Sequence, residues 1–164
     1  MVDASTAVAL RRVLSTCAIT DVVTVPDSTI GAWDAVAVAS GARVVRVCRE
    51  GEAWGVAMGL HLGGRRPLVL IQCTGLFESG DALRNVLHDW QLPIPAIIGY
   101  RSYLNQSTLP GDTCLVFTEP VLTAWQVPWR LVRDDAELAA GGEFLHDHRA
   151  AGRAAALLVA EGKA

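Results

Sequence analysis

Short β-branched apolar runs alternate with helical stretches along the whole chain, and this alternation constrains the fold most. The runs are 21–25 (DVVTV), 43–47 (RVVRV), 67–71 (PLVLI), 94–98, 129–132 and 154–159. None shows the apolar-in, polar-out alternation of a half-buried strand, so each reads as buried on both faces. Helical patterns fill 4–18, 28–40 with Gly41 as stop, 50–62 ended by Gly63 and Gly64, about 78–90, 119–125 and 134–148. Ser28 is the expected cap of the second helix. The order predicts an α/β fold, a three-layer doubly wound and mostly parallel sheet, with residues 1–164 as one domain. Right-handed crossovers bring the strand C-terminal ends to one edge, where such sheets bind ligands. That edge is expected to carry turns at 26–28, 48–50, 72–75 and 99–102. The polar segment 100–113 reads as a long surface loop.

Several function classes are excluded. A net charge of -3 provides no basic footprint for nucleic acid. No run of about 18 apolar residues offers a membrane span. Residues 1–8 contain Asp3 and no basic residue, which does not read as a signal peptide, so the expected location is the cytoplasm. Cys17, Cys48, Cys73 and Cys114 form no CxxC pair; Cys17 and Cys48 read as small core residues. No GxxxxGK[ST], no GxGxxG after the first strand and no GxSxG occur, so no phosphate loop marks a nucleotide-binding module. Apolar residues make up 51% and charged residues 19%. Two readings fit that excess: surface shared with a partner, or a tightly packed parallel sheet.

The stretch 47–67, VCREGEAWGVAMGLHLGGRRP, carries the chemistry. A strand ends, Glu50 follows, and a helix opens with Gly51, Ala53, Gly55, Ala57 and Gly59. Gly55, Gly59 and Gly63 recur every four residues and make a smooth face that a backbone or a cofactor ring can approach. Each helical glycine costs roughly 1 kcal/mol relative to alanine, and close packing against that face is the simplest compensation. On residue chemistry alone, Glu50 and Glu52 are acids that favour a helix N-terminus.

These motifs resemble the pyrimidine-binding domain of thiamine-diphosphate enzymes, and within that class the sulfopyruvate and phosphonopyruvate decarboxylase family. VPDS at 25–28, REGEAWGVAMGLHLGGRRP at 49–67, QCTGL at 72–76, PIP at 93–95 and YRS at 100–102 follow the family's order, over about residues 8–162.

The resemblance implies roles for individual residues. Counted from Gly55 and Gly59, Glu50 and not Glu52 matches the glutamate that shares a proton with N1' of the aminopyrimidine. Such a carboxyl group needs a dry site that raises its pKa. The cofactor then serves as the electron sink for decarboxylation of a 2-oxo acid. Gln72, Cys73, Thr74 and Gly75 would lie near the thiazolium, with Cys73 read as a buried neutral thiol. Asp27, Ser28 and Arg101 would lie at the substrate end, Arg101 meeting an anionic group. His61 and His88 read as packing or interface residues. Phe77, Glu78 and Thr24 depart from the family pattern and bear on the substrate.

The family's diphosphate and Mg²⁺ site needs GDG and a downstream Asn. Gly80-Asp81 and Gly111-Asp112 do not supply that motif. The implied partner is therefore a separate diphosphate-binding (beta) subunit that holds Mg²⁺, in a hetero-oligomer acting on sulfopyruvate or phosphonopyruvate and releasing an aldehyde. A thiamine-dependent carboligase subunit, and a non-catalytic structural or regulatory subunit that kept the fold, are the alternatives.

Overall fold

The computed structural model describes residues 3–162. Met1, Val2, Lys163 and Ala164, the ends of the expected 1–164 domain, lie outside the described residues. The elements are α1 (Ala4–Thr16), β1 (Asp21–Thr24), α2 (Trp33–Ala39), β2 (Arg43–Arg46), α3 (Glu50–Leu62), β3 (Pro67–Gln72), α4 (Cys73–Arg84), β4 (Ala96–Tyr100), α5 (Thr113–Ala124), β5 (Trp129–Val132), α6 (Asp135–Ala150) and β6 (Ala156–Ala160). Short 3-10 turns precede α2 and follow β4, and a π turn extends α4.

The six strands form one parallel sheet in the order β2-β1-β3-β4-β6-β5. The direction of winding reverses between β1 and β3 and again between β4 and β6. With right-handed crossovers, each reversal moves the connecting helix to the other face. Accordingly α1, α2 and α6 pack together on one side, and α3, α4 and α5 on the other.

Burial on both faces explains the continuous apolar runs of β1, β3, β4 and β6; the runs of β2 and β5, expected to be buried too, are partly exposed because these strands form the two edges of the sheet. Val22, Leu68, Leu70, Ile97 and Leu157 point into the core under α1, α2 and α6. Their neighbours Val23, Val69, Ile71, Ile98 and Leu158 point into the core under α3, α4 and α5. Each fully buried Leu or Ile contributes about 2 kcal/mol. The helices of the first layer approach closely: a Cβ on Gly142 of α6 would stand 3.1 Å from the Val13 Cα of α1.

The structure differs from the sequence expectations at several places. No turn separates β3 from α4, because the backbone becomes helical at Cys73, directly after Gln72. Residues 73–75 are therefore the first turn of a helix. α5 begins at Thr113 rather than 119, because Asp112 caps it by accepting the Cys114 N–H at 2.9 Å. Pro120 lies inside that helix. Ser28 caps nothing; Asp27 instead accepts the N–H groups of Thr29 and Ile30 at 2.7 and 2.9 Å. Cys17 is buried, and burial pushes its thiol up to about 11. Cys48 is exposed rather than a core residue, since it occupies the turn between β2 and α3.

Candidate active site

α3 determines where Glu50 sits. Ala53, Trp54 and Ala57 are buried against the sheet side, which turns Gly55 and Gly59 to the exposed side. Glu50 is the first helical residue, half-buried at the C-terminal edge of the sheet. Its side chain lies over Gly75, where any Cβ would overlap it. The glycine at this point of α4 is therefore the space Glu50 occupies.

Two other carboxylates secure the α3 N-terminus. Arg49 provides no side-chain cap. Glu78 of α4 does so from outside the helix, accepting the Gly51 N–H at 2.8 Å and pairing with Arg49 at 2.6 Å. The Gly51 N–H, then Arg49, hold its carboxyl below the usual range. Glu52 turns back to accept the Cys48 N–H at 3.0 Å. Of the three acids, Glu50 alone carries no hydrogen bond to a backbone N–H at this helix end among the described contacts.

A cleft of about 680 Å³ opens beside this point, lined by Ser28, Thr29, Gln72, Arg101, Ser102, Asn105, Glu161 and Gly162. It follows the ends of β1, β3, β4 and β6, the strands flanking the two reversals, where open α/β sheets bind ligands. Thr74 Oγ1 donates to Gln72 Oε1 at 3.3 Å, which links the Glu50–Gly75 contact to the cleft. Another concavity of about 480 Å³ lies beside Leu92, Val127, Pro128 and Ala154, and no acid lines it.

The structure brings most of the expected residues to one edge, but not all of them into the cleft. Ser28, Gln72 and Arg101 line it. Arg101 is exposed, with Asp112 4.0 Å from its Nε. The Asp27 carboxylate is occupied by its own loop. Cys73 is fully buried in the core with Cys114, away from the cleft; burial, then Cys73 itself, push the Cys114 thiol up to about 12. Phe77 packs against the same core. Neither it nor Glu78 lines the cleft. His61 is half-buried, and burial lowers its pKa. His88 is exposed, with Nε2 2.6 Å from the Trp125 carbonyl. Among the described residues, no three His, Cys, Asp or Glu side chains cluster as metal ligands, and no helix is long and apolar enough to cross a membrane.

One residue of the site escaped the sequence reading. Glu161 is only 6% exposed, and its Oε2 accepts a 2.9 Å hydrogen bond from Gln72 Nε2. Burial pushes its carboxyl up to about 7, against the opposing pull of Gln72. An acid directly after an apolar strand, at the edge where ligands bind, was the available signal. The expected strand 154–159 stops two residues short of it, whereas β6 runs to Ala160, directly before the acid.

The fold is similar to part of a thiamin diphosphate-dependent enzyme from Mycobacterium smegmatis, with a TM-score of 0.66 over 94% of this chain and 30% of that one at 15% identity, a likeness of fold. Benzoylformate decarboxylase from Polynucleobacter necessarius superposes with a TM-score of 0.66, over 94% of this chain and 29% of that one, at 18% identity, a likeness of fold. In sequence, the chain is similar to proteins named sulfopyruvate decarboxylase subunit alpha. That of Methanococcus maripaludis is 28% identical over 110 residues, covering 61% of this chain and 66% of the relative. That of Methanothermobacter thermautotrophicus is 30% identical over 93 residues, covering 57% and 56%. The match spans less than two thirds of either relative's length. No family model matches the chain.

Proposed function

We propose that residues 1–164 act as the pyrimidine-binding domain of a heteromeric thiamine-diphosphate enzyme, working in the cytoplasm and decarboxylating a short 2-oxo acid with an anionic tail. Sulfopyruvate and phosphonopyruvate are the leading substrates. The observation that carries this reading is Glu50 held over Gly75 at the head of a glycine-faced helix, next to a polar cleft with one arginine. Similarity to the named alpha subunits supports it.

The donor set suits half of a cofactor site. Glu50 offers a carboxyl group whose backbone surroundings are already satisfied by Glu78 and Glu52, so it is left to exchange a proton with a ring nitrogen. Bound at that point, the cofactor would supply the electron sink. Gly75 leaves Glu50 its room. Thr74 and Gln72 form the wall between Glu50 and the cleft, and Cys73 supports that wall from the core. Ser28 and Arg101 would orient the acid's anionic groups, with Asp27 holding the loop that presents Ser28. A partner with a diphosphate-binding domain would hold most of the diphosphate and Mg²⁺. Covering this edge, it would dry the surroundings of Glu50. The half-exposed Leu104, Leu109, Val116 and Phe117 give such a partner apolar surface to bury.

Calorimetric titration of thiamine diphosphate and Mg²⁺ into the chain with its candidate partner tests the reading. Binding that requires both chains, and 2-oxo-acid turnover abolished by Glu50→Gln, is the expected result. An assembled pair that binds no cofactor overturns it.

A further inference from the structure

Glu161 is held more firmly than a residue after the last strand needs to be. Its N–H donates to the Tyr100 carbonyl at 3.1 Å, and its carbonyl accepts the Leu104 N–H at 3.0 Å. The side chain lies over Gly99, where a Cβ would overlap Oε1. Oε2 is bonded to Gln72, but Oε1 is buried with no hydrogen-bond partner. A buried carboxylate oxygen without a donor is costly, whereas a carboxylic acid avoids the charge and gains a donor. The same residue lines the cleft that holds Arg101, the cation best placed for an anionic ligand.

We propose that Glu161 is a specificity-determining residue of this cleft: it receives an anionic ligand in its protonated form, so that each anion bound beside Arg101 fixes a proton on Glu161. The charged groups around it are Asp27 on the loop after β1 and Arg101 after β4, with Arg133, Asp134 and Asp135 across the adjoining groove. Asp27 disfavours ionisation of Glu161, and Arg101 favours it. An anion that occupies Arg101 removes that attraction and adds a negative charge, so both changes drive proton uptake from solvent. The carboxyl value near 7 leaves the group part-ionised before binding, which gives the coupling an amplitude at neutral pH. Only the identity of the anion as a 2-oxo acid rests on the proposed function.

The test is carbon-13 NMR titration of the glutamate side chains in the full chain, with and without 3-sulfopropanoate, which lacks the 2-oxo group and cannot react. The expected result is a Glu161 carboxyl titrating near 7 that moves up by about one unit when the probe saturates the cleft. Probe affinity then weakens up to about tenfold from pH 6 to pH 9, Arg101→Leu removes binding, and Glu161→Gln binds with no such pH dependence. A Glu161 titrating in the ordinary carboxylate range, absence of probe binding, or pH dependence kept by Glu161→Gln overturns the proposal. If the shift is present but the assembled protein turns over no 2-oxo acid, the function above fails and the proton coupling stands. Glu50-dependent turnover without the shift has the opposite meaning.

Discussion

The Glu50 side chain lies across the bare Cα of Gly75, so that a Cβ there would stand 2.6 Å from Oε1 and 2.7 Å from the carboxyl carbon. The two residues belong to different helices, which fixes the carboxyl group relative to α4 as well as α3. Gly75→Ala must therefore push Glu50 off its position. Turnover by the proposed assembly is expected to fall about as far as with Glu50→Gln, while circular dichroism shows the fold intact. Wild-type turnover in the alanine variant would show that this contact does not position Glu50.

Glu78 is the external cap of α3, and its folded carboxyl lies below its ordinary value of 4.5, chiefly through the Gly51 N–H. A depressed acid contributes stability above its unfolded pKa and loses it as pH falls through the folded one. Glu78→Gln should lower the urea midpoint at pH 7. The gap between variant and native protein should close as the pH drops below 4.5. Added salt should narrow it too, because the Arg49 partner is exposed. A gap independent of pH would assign the effect to packing.

Asp21 is fully buried at the start of β1 and is held by Arg43 at 2.7 Å and Arg65 at 2.8 Å. Burial raises its pKa, but hydrogen bonds from Arg65, Thr20 and Arg43 outweigh that and keep it below 3.8. Its contribution is present above that value and lost in acid. Asp21→Asn should cost about 2 kcal/mol, or roughly 5 °C in Tm for a domain of this size. The loss should be visible in a thermal melt at pH 7 and should shrink progressively as the pH falls below 3.8.

The inner strands β1, β3, β4 and β6 were legible because they are largely buried on both faces, which writes them as unbroken apolar runs, whereas the edge strands β2 and β5 are partly exposed. Glu50 stood out only through the resemblance of 49–67 to the family motif; on residue chemistry alone it and Glu52 are two acids at a helix N-terminus. The α4 start was not legible: Cys73, Thr74 and Gly75 read as a turn, and only the side chain of Glu50 from another helix explains a glycine inside that helical turn. The capping role of Glu78 was equally hidden, since its partners Arg49 and Gly51 are 29 and 27 residues away. Glu161 depends on Gln72, 89 residues earlier, and on the bare backbone of Gly99. Contacts of that range leave no local pattern.

Gly55 and Gly59 lie on the exposed side of α3, and a Cβ at either would meet nothing within 4 Å. Among the described residues nothing compensates for two helical glycines that cost roughly 1 kcal/mol each relative to alanine. Gly55→Ala and Gly59→Ala should therefore stabilise the isolated chain, each raising Tm by roughly 2–4 °C. If the proposed partner seats its backbone on this face, the same substitutions should weaken assembly, because each methyl group would hold that backbone off. Thermal melts of the chain alone and sedimentation of the mixed subunits separate the two effects. Stabilised variants that still assemble with native affinity would place the partner on another face and leave the glycine spacing without a packing role.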